Sequence, residues 1–425
     1  MRIKRAIALL VMLVAAMAFV ACGSSDDDSG SSDSGSSGGG AASTTSTSNE
    51  ASTAAPTTGC GSVPQQMPDD PDGVLAKLPK DVQAAYNLFP QAVHKSAWAD
   101  WKPAKSKPYS IYFSPGNIST PFIQDMVKKF DELKKSSDVI TKVTTQDSNN
   151  NVQTQIQQIR QAIRQKYDAL VVLQLSPAAD APVLEAAGKA GIPVITPLNP
   201  SANEYVIGVQ GNLPIDGAAL GQGLVQIMGD KGNVLEMQGI PGVPASDVVL
   251  KGADTVFKGC SGVKVAGRPV GQFVPSVGKA QTLQFLASHP GNVDGAVQVG
   301  GMATGIIQAF QQTGRKVPPI ADAGATPGAL AYWNENKDKY KGVALGQPPA
   351  QMAEAAFNIA SGLFAGRGVT TTDILQTPII ITDKNLSEWV DPSWKLTTPI
   401  AYAPGPDGAL LGQDYLDQFF AKPAS

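Results

Sequence analysis

The chain has 425 residues, 42% of them hydrophobic, and a formal net charge of −3. It therefore carries enough apolar mass for more than one core and no basic excess that would draw it to a nucleic acid. Two histidines and three cysteines supply neither a His-based metal centre nor a Cys-x-x-Cys pair, and the absence of Gly-x-Ser-x-Gly, P-loop and His-Glu-x-x-His sequences argues against an enzyme.

Residues 1–21 read as a signal peptide: Arg2, Lys4 and Arg5 precede an apolar stretch, 7–20, too short to cross a bilayer as a stable helix. Losing those three basic residues takes the net charge from −3 to −6. The run Phe19-Val20-Ala21-Cys22-Gly23 resembles a bacterial lipobox, which implies cleavage before Cys22 and attachment of acyl chains to it. Two or three acyl chains hold a protein on a membrane where one only visits. Residues 22–60 follow as a lipid-anchored Ser-, Gly- and Asp-rich linker, with no large apolar residue between 23 and 58 to bury. Such a segment is expected to be a disordered tether with an r.m.s. span of about 30–35 Å. Cys60 and Cys260 then face an oxidising compartment. They are either a bridge closing a loop of about 200 residues or two free thiols.

An N-terminal extension, 61–107, carries Tyr86, Phe89, Trp98 and Trp101, too apolar for more linker, and is expected to pack on the body. From residue 109 short β-branched runs alternate with amphipathic segments, the pattern of βα units feeding a parallel sheet. Strands are predicted at 109–114, 139–144, 169–174, 193–196 and 205–209, with helices at 121–135, 152–166 and 180–190. A second series places strands at 233–237, 263–269, 295–299, 319–323 and 342–345, with helices at 245–257, 280–288, 303–313, 327–335 and 350–364. The fold class is thus α/β, two doubly wound Rossmann-like lobes behind a disordered linker. Gly217, Gly221 and Gly223 read as helix-packing positions rather than a dinucleotide loop. The C-terminal stretch from 383, with Trp389, Trp394, Tyr402 and Phe419-Phe420, is expected to cover the back of a lobe.

This order of elements, with 117–122 after the first strand, AAGKAGIPVIT at 186–196, residues 210–217 and Gly346-Gln347-Pro348-Pro349, resembles the type I periplasmic binding proteins, especially the ribose-binding branch, over about 108–382. The resemblance implies an N-terminal lobe of 108–211 plus 348–376, a C-terminal lobe of 212–347 plus 377–395, and a tail of 396–425. A multi-strand hinge would cross near 210–212, 347–349 and 376–378. It further implies a monomer that captures a small solute outside the cytoplasm and delivers it to the permease subunits of an ABC importer, with no catalysis and no cofactor. A sensory lipoprotein presenting its ligand to a membrane receptor is the alternative.

Carried over by position, the family's ring-stacking aromatics fall on Phe122 and Phe273, and a cleft contact falls on Gln347. Other positions depart from the family. Val249 stands where an Arg is expected, Leu198-Asn199 replaces an Asp-Arg pair, Gly300-Gly301 or Val299-Gly300 replaces Asn-Asp, and Gly324 replaces an Asp. A buried hydroxyl left without a partner costs about 1–3 kcal/mol, so these losses disfavour a free pentose. They favour a flat uncharged solute, a sugar-like molecule or a nucleoside, with Asn117, Gln174, Asn199, Gln238 and Asp247 as the nearest polar replacements. Asp247, Asp322 and Asp373 have no spacing that defines an acid/base pair.

Overall fold

The structure is a computed structural model and describes residues 59–399 and 401–421. The signal peptide, Cys22 and linker residues 22–58 lie outside the described residues. After a short helix α1 (Lys80–Ala84), the first series runs β1 (Tyr109–Ser114), α2 (Pro121–Ser136), β2 (Ile140–Thr145), α3 (Val152–Arg164), β3 (Ala169–Val172), α4 (Pro177–Lys189), β4 (Val194–Pro197) and β5 (Val206–Gly211). The second runs α5 (Leu213–Met228), β6 (Lys231–Met237), α6 (Pro244–Lys258), β7 (Gly262–Gly267), α7 (Pro275–Ser288), β8 (Gly295–Val299), α8 (Ala303–Gln312), β9 (Ile320–Ala323), α9 (Pro327–Glu335) and β10 (Val343–Leu345). The chain then makes α10 (Pro349–Phe364), β11 (Asp373–Gln376), β12 (Ile380–Ile381) and α11 (Gln413–Leu416).

The strands assemble into two six-stranded sheets, ordered β11-β5-β4-β3-β1-β2 and β12-β10-β9-β8-β6-β7. All recorded pairings are parallel except β10 with β12. Parallel sheets are buried on both faces, and β1 illustrates it. Tyr109, Ile111 and Phe113 enter one core beside Met126 and Phe130 of α2, while Tyr112 enters the opposite one beside Ile159 of α3 and Leu184 of α4. A third core fills the second lobe. Because α10 and β11 return to the first lobe and β12 to the second, the chain crosses between lobes after β5, β10 and β11.

Departures from the predicted boundaries have local causes. Pro177 and Pro275 occupy the first turns of α4 and α7 and start them earlier than the apolar period alone indicates. β3 ends earlier than predicted because, after the Leu173 N–H has donated to the Ser114 carbonyl at 2.9 Å, the Gln174 N–H turns away to Asn199 Oδ1 at 3.1 Å. Helix α5 is missing from the predicted elements. Its residues are buried on nearly all sides, so no polar face marks a helical period. Two of its glycines pack helices: a Cβ at Gly217 would lie 1.8 Å from the Val249 carbonyl oxygen, and one at Gly221 2.9 Å from Ala253 Cα, both on α6, whereas one at Gly223 would meet Val343 of β10 at 2.9 Å.

Both chain ends reach the first lobe. Tyr86, Phe89 and Trp98 of the N-terminal extension are buried in its core, the Tyr86 hydroxyl donates to the Asp373 carbonyl at 2.6 Å, and Asn212 Nδ2 in the first crossing donates to the Ala85 and Asn87 carbonyls at 2.9 and 2.7 Å. At its start the extension belongs to the second lobe instead, since Cys60 is disulfide-bonded to Cys260 just beyond α6. The tail makes a second passage in the same sense, from the second lobe to the first. Trp389 and Ala403 lie in the second core, whereas Leu410, Leu411, Leu416, Phe419 and Phe420 lie in the first. The expectation that the tail covers the back of one lobe is therefore corrected, because no single lobe offers a groove for both of its apolar clusters.

Two measurements follow. Cys60→Ser is expected to lower unfolding free energy by about 2–5 kcal/mol, because a 200-residue loop is released in the unfolded chain, and reductant should have the same effect on the wild type and none on the variant. Phe419→Ala, at a fully buried position, is expected to cost about 3–5 kcal/mol in denaturant titration; a loss under 1 kcal/mol would mean the tail is not part of the core.

Candidate functional site

Open parallel sheets bind ligands beyond the carboxyl ends of their strands, where strand-to-helix loops and helix N-termini converge. On the first lobe that edge carries Asn117 in the β1–α2 loop, Phe122 in the first turn of α2, Gln174 after β3 and Asn199 after β4. On the second it carries Gln238 after β6, Asp247 in the first turn of α6 and Phe273 after β7, with Gln347 in the crossing after β10. These eight residues thus sit on carboxyl edges or at a crossing, whereas Asp373, also named in the sequence, begins β11 on the opposite edge.

Phe273 has a built seat. A Cβ at Gly239 would lie 2.2 Å from its ring and one at Gly300 2.3 Å, so only glycine fits on either side. Gly300 and Gly301 both have positive φ, 70° and 84°, and a Cβ on Gly324 would come within 2.5 Å of the Gly301 nitrogen. The glycines that replace acidic and amide residues of the ribose-binding pattern are therefore one feature: the backbone closes up here and admits an aromatic ring where side chains would otherwise project. Gln272 and Phe273 themselves hold left-handed backbone, φ 58° and 61°, a strain of about 1–3 kcal/mol each that surrounding packing must hold in place. Val249 is buried, with its carbonyl against Gly217, so this position packs α6 on α5.

The polar candidates divide by partner. Asn117 Oδ1 accepts from the Ser119 N–H and Asp247 Oδ2 from the Gly242 N–H, at 2.8 and 2.7 Å, so both stabilise their own loops. Asn199 is buried and orients the backbone of Gln174. Gln347 Nε2 donates to Asp216 Oδ2 at 3.1 Å, tying the crossing after β10 to the first turn of α5; burial holds the Asp216 carboxyl well above the usual carboxylate range. In contrast, both amide atoms of Gln174 and the hydroxyl of Thr326 are buried with no hydrogen-bond partner among the described residues. Buried orphans of this kind are uncommon.

Two further residues near these edges were not singled out as binding candidates from sequence. Asp322, at the end of β9, accepts from Gln298 Nε2 and, at 2.8 Å, from the Gly324 N–H, while its second oxygen is buried and unpaired. Burial pushes its carboxyl up to about 6 against these donors. Tyr402, in the tail, meets Phe122 ring edge to ring face, centroids 5.2 Å apart. No sequence signal places it there, since the contact joins residues far apart in the chain. The three aspartates do not assemble an acid/base site: Asp373 sits at the amino end of β11, capped by Ser201 N and Oγ at 2.8 and 2.6 Å. A surface groove lined by Asp72, His94, Glu185 and Ser201 lies on that same amino edge, away from the convergent loops.

Two parallel-sheet lobes joined by three crossings, with Phe122 and Phe273 at carboxyl edges, have the architecture of a two-lobed binding protein. The chain belongs to the family of the periplasmic binding protein domain, whose model matches residues 111–368. It is similar, 26% identical over 272 residues, to the xylitol-binding protein of Mycolicibacterium smegmatis, spanning 61% of this chain and 76% of that one. Among solved structures it resembles an ABC transporter solute-binding protein from Thermobispora bispora, with TM-score 0.59 and 26% identity over 67% of this chain and 88% of that one. It also resembles one from Bacillus halodurans with bound myo-inositol, with TM-score 0.60 and 22% identity over 67% of this chain and 98% of the other; at that identity the likeness speaks for the fold.

The raised Asp322 carboxyl has a stability consequence. The folded chain favours its protonated form, so this contribution to stability is fully present below the ordinary value of 3.8 and is lost as pH rises through about 6. Asp322→Asn is expected to remove that slope, improving by on the order of 1–3 kcal/mol relative to wild type between pH 4 and pH 7 in urea titrations. Parallel profiles for the two proteins would assign the slope to another group.

Proposed function

We propose that this protein is an extracytoplasmic solute-binding lipoprotein that captures a small, uncharged, polyhydroxylated molecule between its lobes and hands it to an ABC importer. The observation that carries the reading is the pairing of aromatic rings, Phe122 and Phe273, with the unpartnered buried amide of Gln174 at the converging strand ends. Apolar faces suit the C–H surfaces of a sugar or polyol, and unpaired amide groups suit its hydroxyls. The names of the similar proteins, which refer to xylitol and myo-inositol, point the same way.

In this reading Phe122 and Phe273 flank the solute and Gln174 and Gln238 bond its hydroxyls. Asn117, Asn199 and Asp247 hold the loops that bring these groups together. Gln347, bonded to Asp216, lies where the lobes rotate. Closure is a hinge motion about the crossings, and the closed form is what the permease subunits recognise. Cys22, lipidated, anchors the monomer to the membrane surface through the linker. No chemistry on the solute is required.

A thermal-shift panel on protein lacking residues 1–22 tests this, with xylitol, myo-inositol, allose, arabinose and several nucleosides as probes. Ligand at a hundred times its dissociation constant adds about 2.7 kcal/mol to stability by mass action, so one polyol or sugar is expected to raise the melting midpoint by several degrees. A shift with nucleosides alone would redirect the substrate class, and no shift across the panel would reject capture of this class of solute.

A further inference from the structure

The tail contributes more to this cleft than cover for apolar surface. It leaves the second lobe with the Ala403 N–H donating to the Ala325 carbonyl, 3.1 Å, just beyond the carboxyl end of β9. It reaches the first lobe where Gln351 Nε2, in the first turn of α10, donates to the Pro404 and Pro406 carbonyls at 2.8 and 2.7 Å. Tyr402 lies at this passage, so its backbone is held from both sides. Its ring packs edge to face with Phe122. Its hydroxyl has no hydrogen-bond partner among the described residues, and the side chain is only partly buried.

From this geometry we infer that Tyr402 is a solute-contacting residue, its ring extending the aromatic wall begun by Phe122 and its hydroxyl bonding a solute hydroxyl. The inference rests on the capture reading above. Three observations converge on it. A tyrosine presents an apolar body with one polar tip, the combination a polyol matches. The residue lies outside the segment 111–368 that the family model covers, so a contact from it is one the family domain does not supply. The phenol also lies close enough to Asp322 of the second lobe and Asp125 of the first for both carboxylates to act on it.

Calorimetric titration of the whole chain with xylitol and with myo-inositol, for wild type, Tyr402→Phe and Tyr402→Ala, separates the outcomes. Tyr402→Phe is expected to bind about tenfold more weakly with an unchanged melting temperature, the mark of a lost hydrogen bond to ligand. Tyr402→Ala is expected to bind at least tenfold more weakly again. Variants that bind as wild type does, or a Tyr402→Ala protein that binds more tightly because the ring had obstructed the cleft, would overturn the inference while leaving capture intact. A wild type that binds neither probe would instead remove the polyol reading, and the role of Tyr402 with it.

Discussion

The first lobe can bury one face of its sheet only because both chain ends come to it. A parallel sheet must be covered on both sides. On one side of this sheet α3 and α4 suffice. On the other, α2 and α10 are joined by the N-terminal extension and the tail, and Tyr86, Phe89, Trp98, Leu416 and Phe419 all enter a single core. Since the chain passes through the second lobe before its tail begins, that burial obliges the tail to cross the molecule. The crossing carries Tyr402 to Phe122 as a geometric by-product of covering the sheet.

The same requirement shapes the mechanics. The family's hinge consists of three crossings, and here they follow β5, β10 and β11. Two further passes accompany them, one between Cys60 on the second lobe and the extension packed on the first, the other between Ala403 and Leu410. Asn212, Gln347 and Gln351 fasten these passes with side-chain hydrogen bonds. Extra passes limit how far the lobes can separate, because each apolar cluster pulled from its core loses about 25 cal/mol per Å² of surface returned to water.

At the cleft, backbone has taken space that side chains occupy in sugar-binding relatives of the ribose type. Gly239, Gly300, Gly301 and Gly324 admit close backbone approach and the Phe273 ring. The cost is backbone entropy and strain at Gln272 and Phe273. The result is a close-packed aromatic surface at the carboxyl edge of the second lobe, seated between Gly239 and Gly300.

Composition and pattern determined much of this. Short β-branched runs and their spacing fixed the two parallel α/β series, because both faces of such strands are buried and their apolar content is unbroken, whereas Phe122, Phe273 and Gln347 were located through the resemblance to the type I periplasmic binding proteins. Helix α5 was not legible, since a helix buried all round has no polar face to mark its period, and neither was whether Cys60 pairs with Cys260, which depends on a Cα separation of 4.9 Å between residues 200 apart. Only the tertiary structure decided which polar candidates are already engaged, as with Asn117 and Asp247, and which remain unpaired, as with Gln174. It alone placed Tyr402 against Phe122. The reason is physical: periodicity is a property of neighbours along the chain, whereas a cleft is made of residues that meet only when separate cores bury their surfaces.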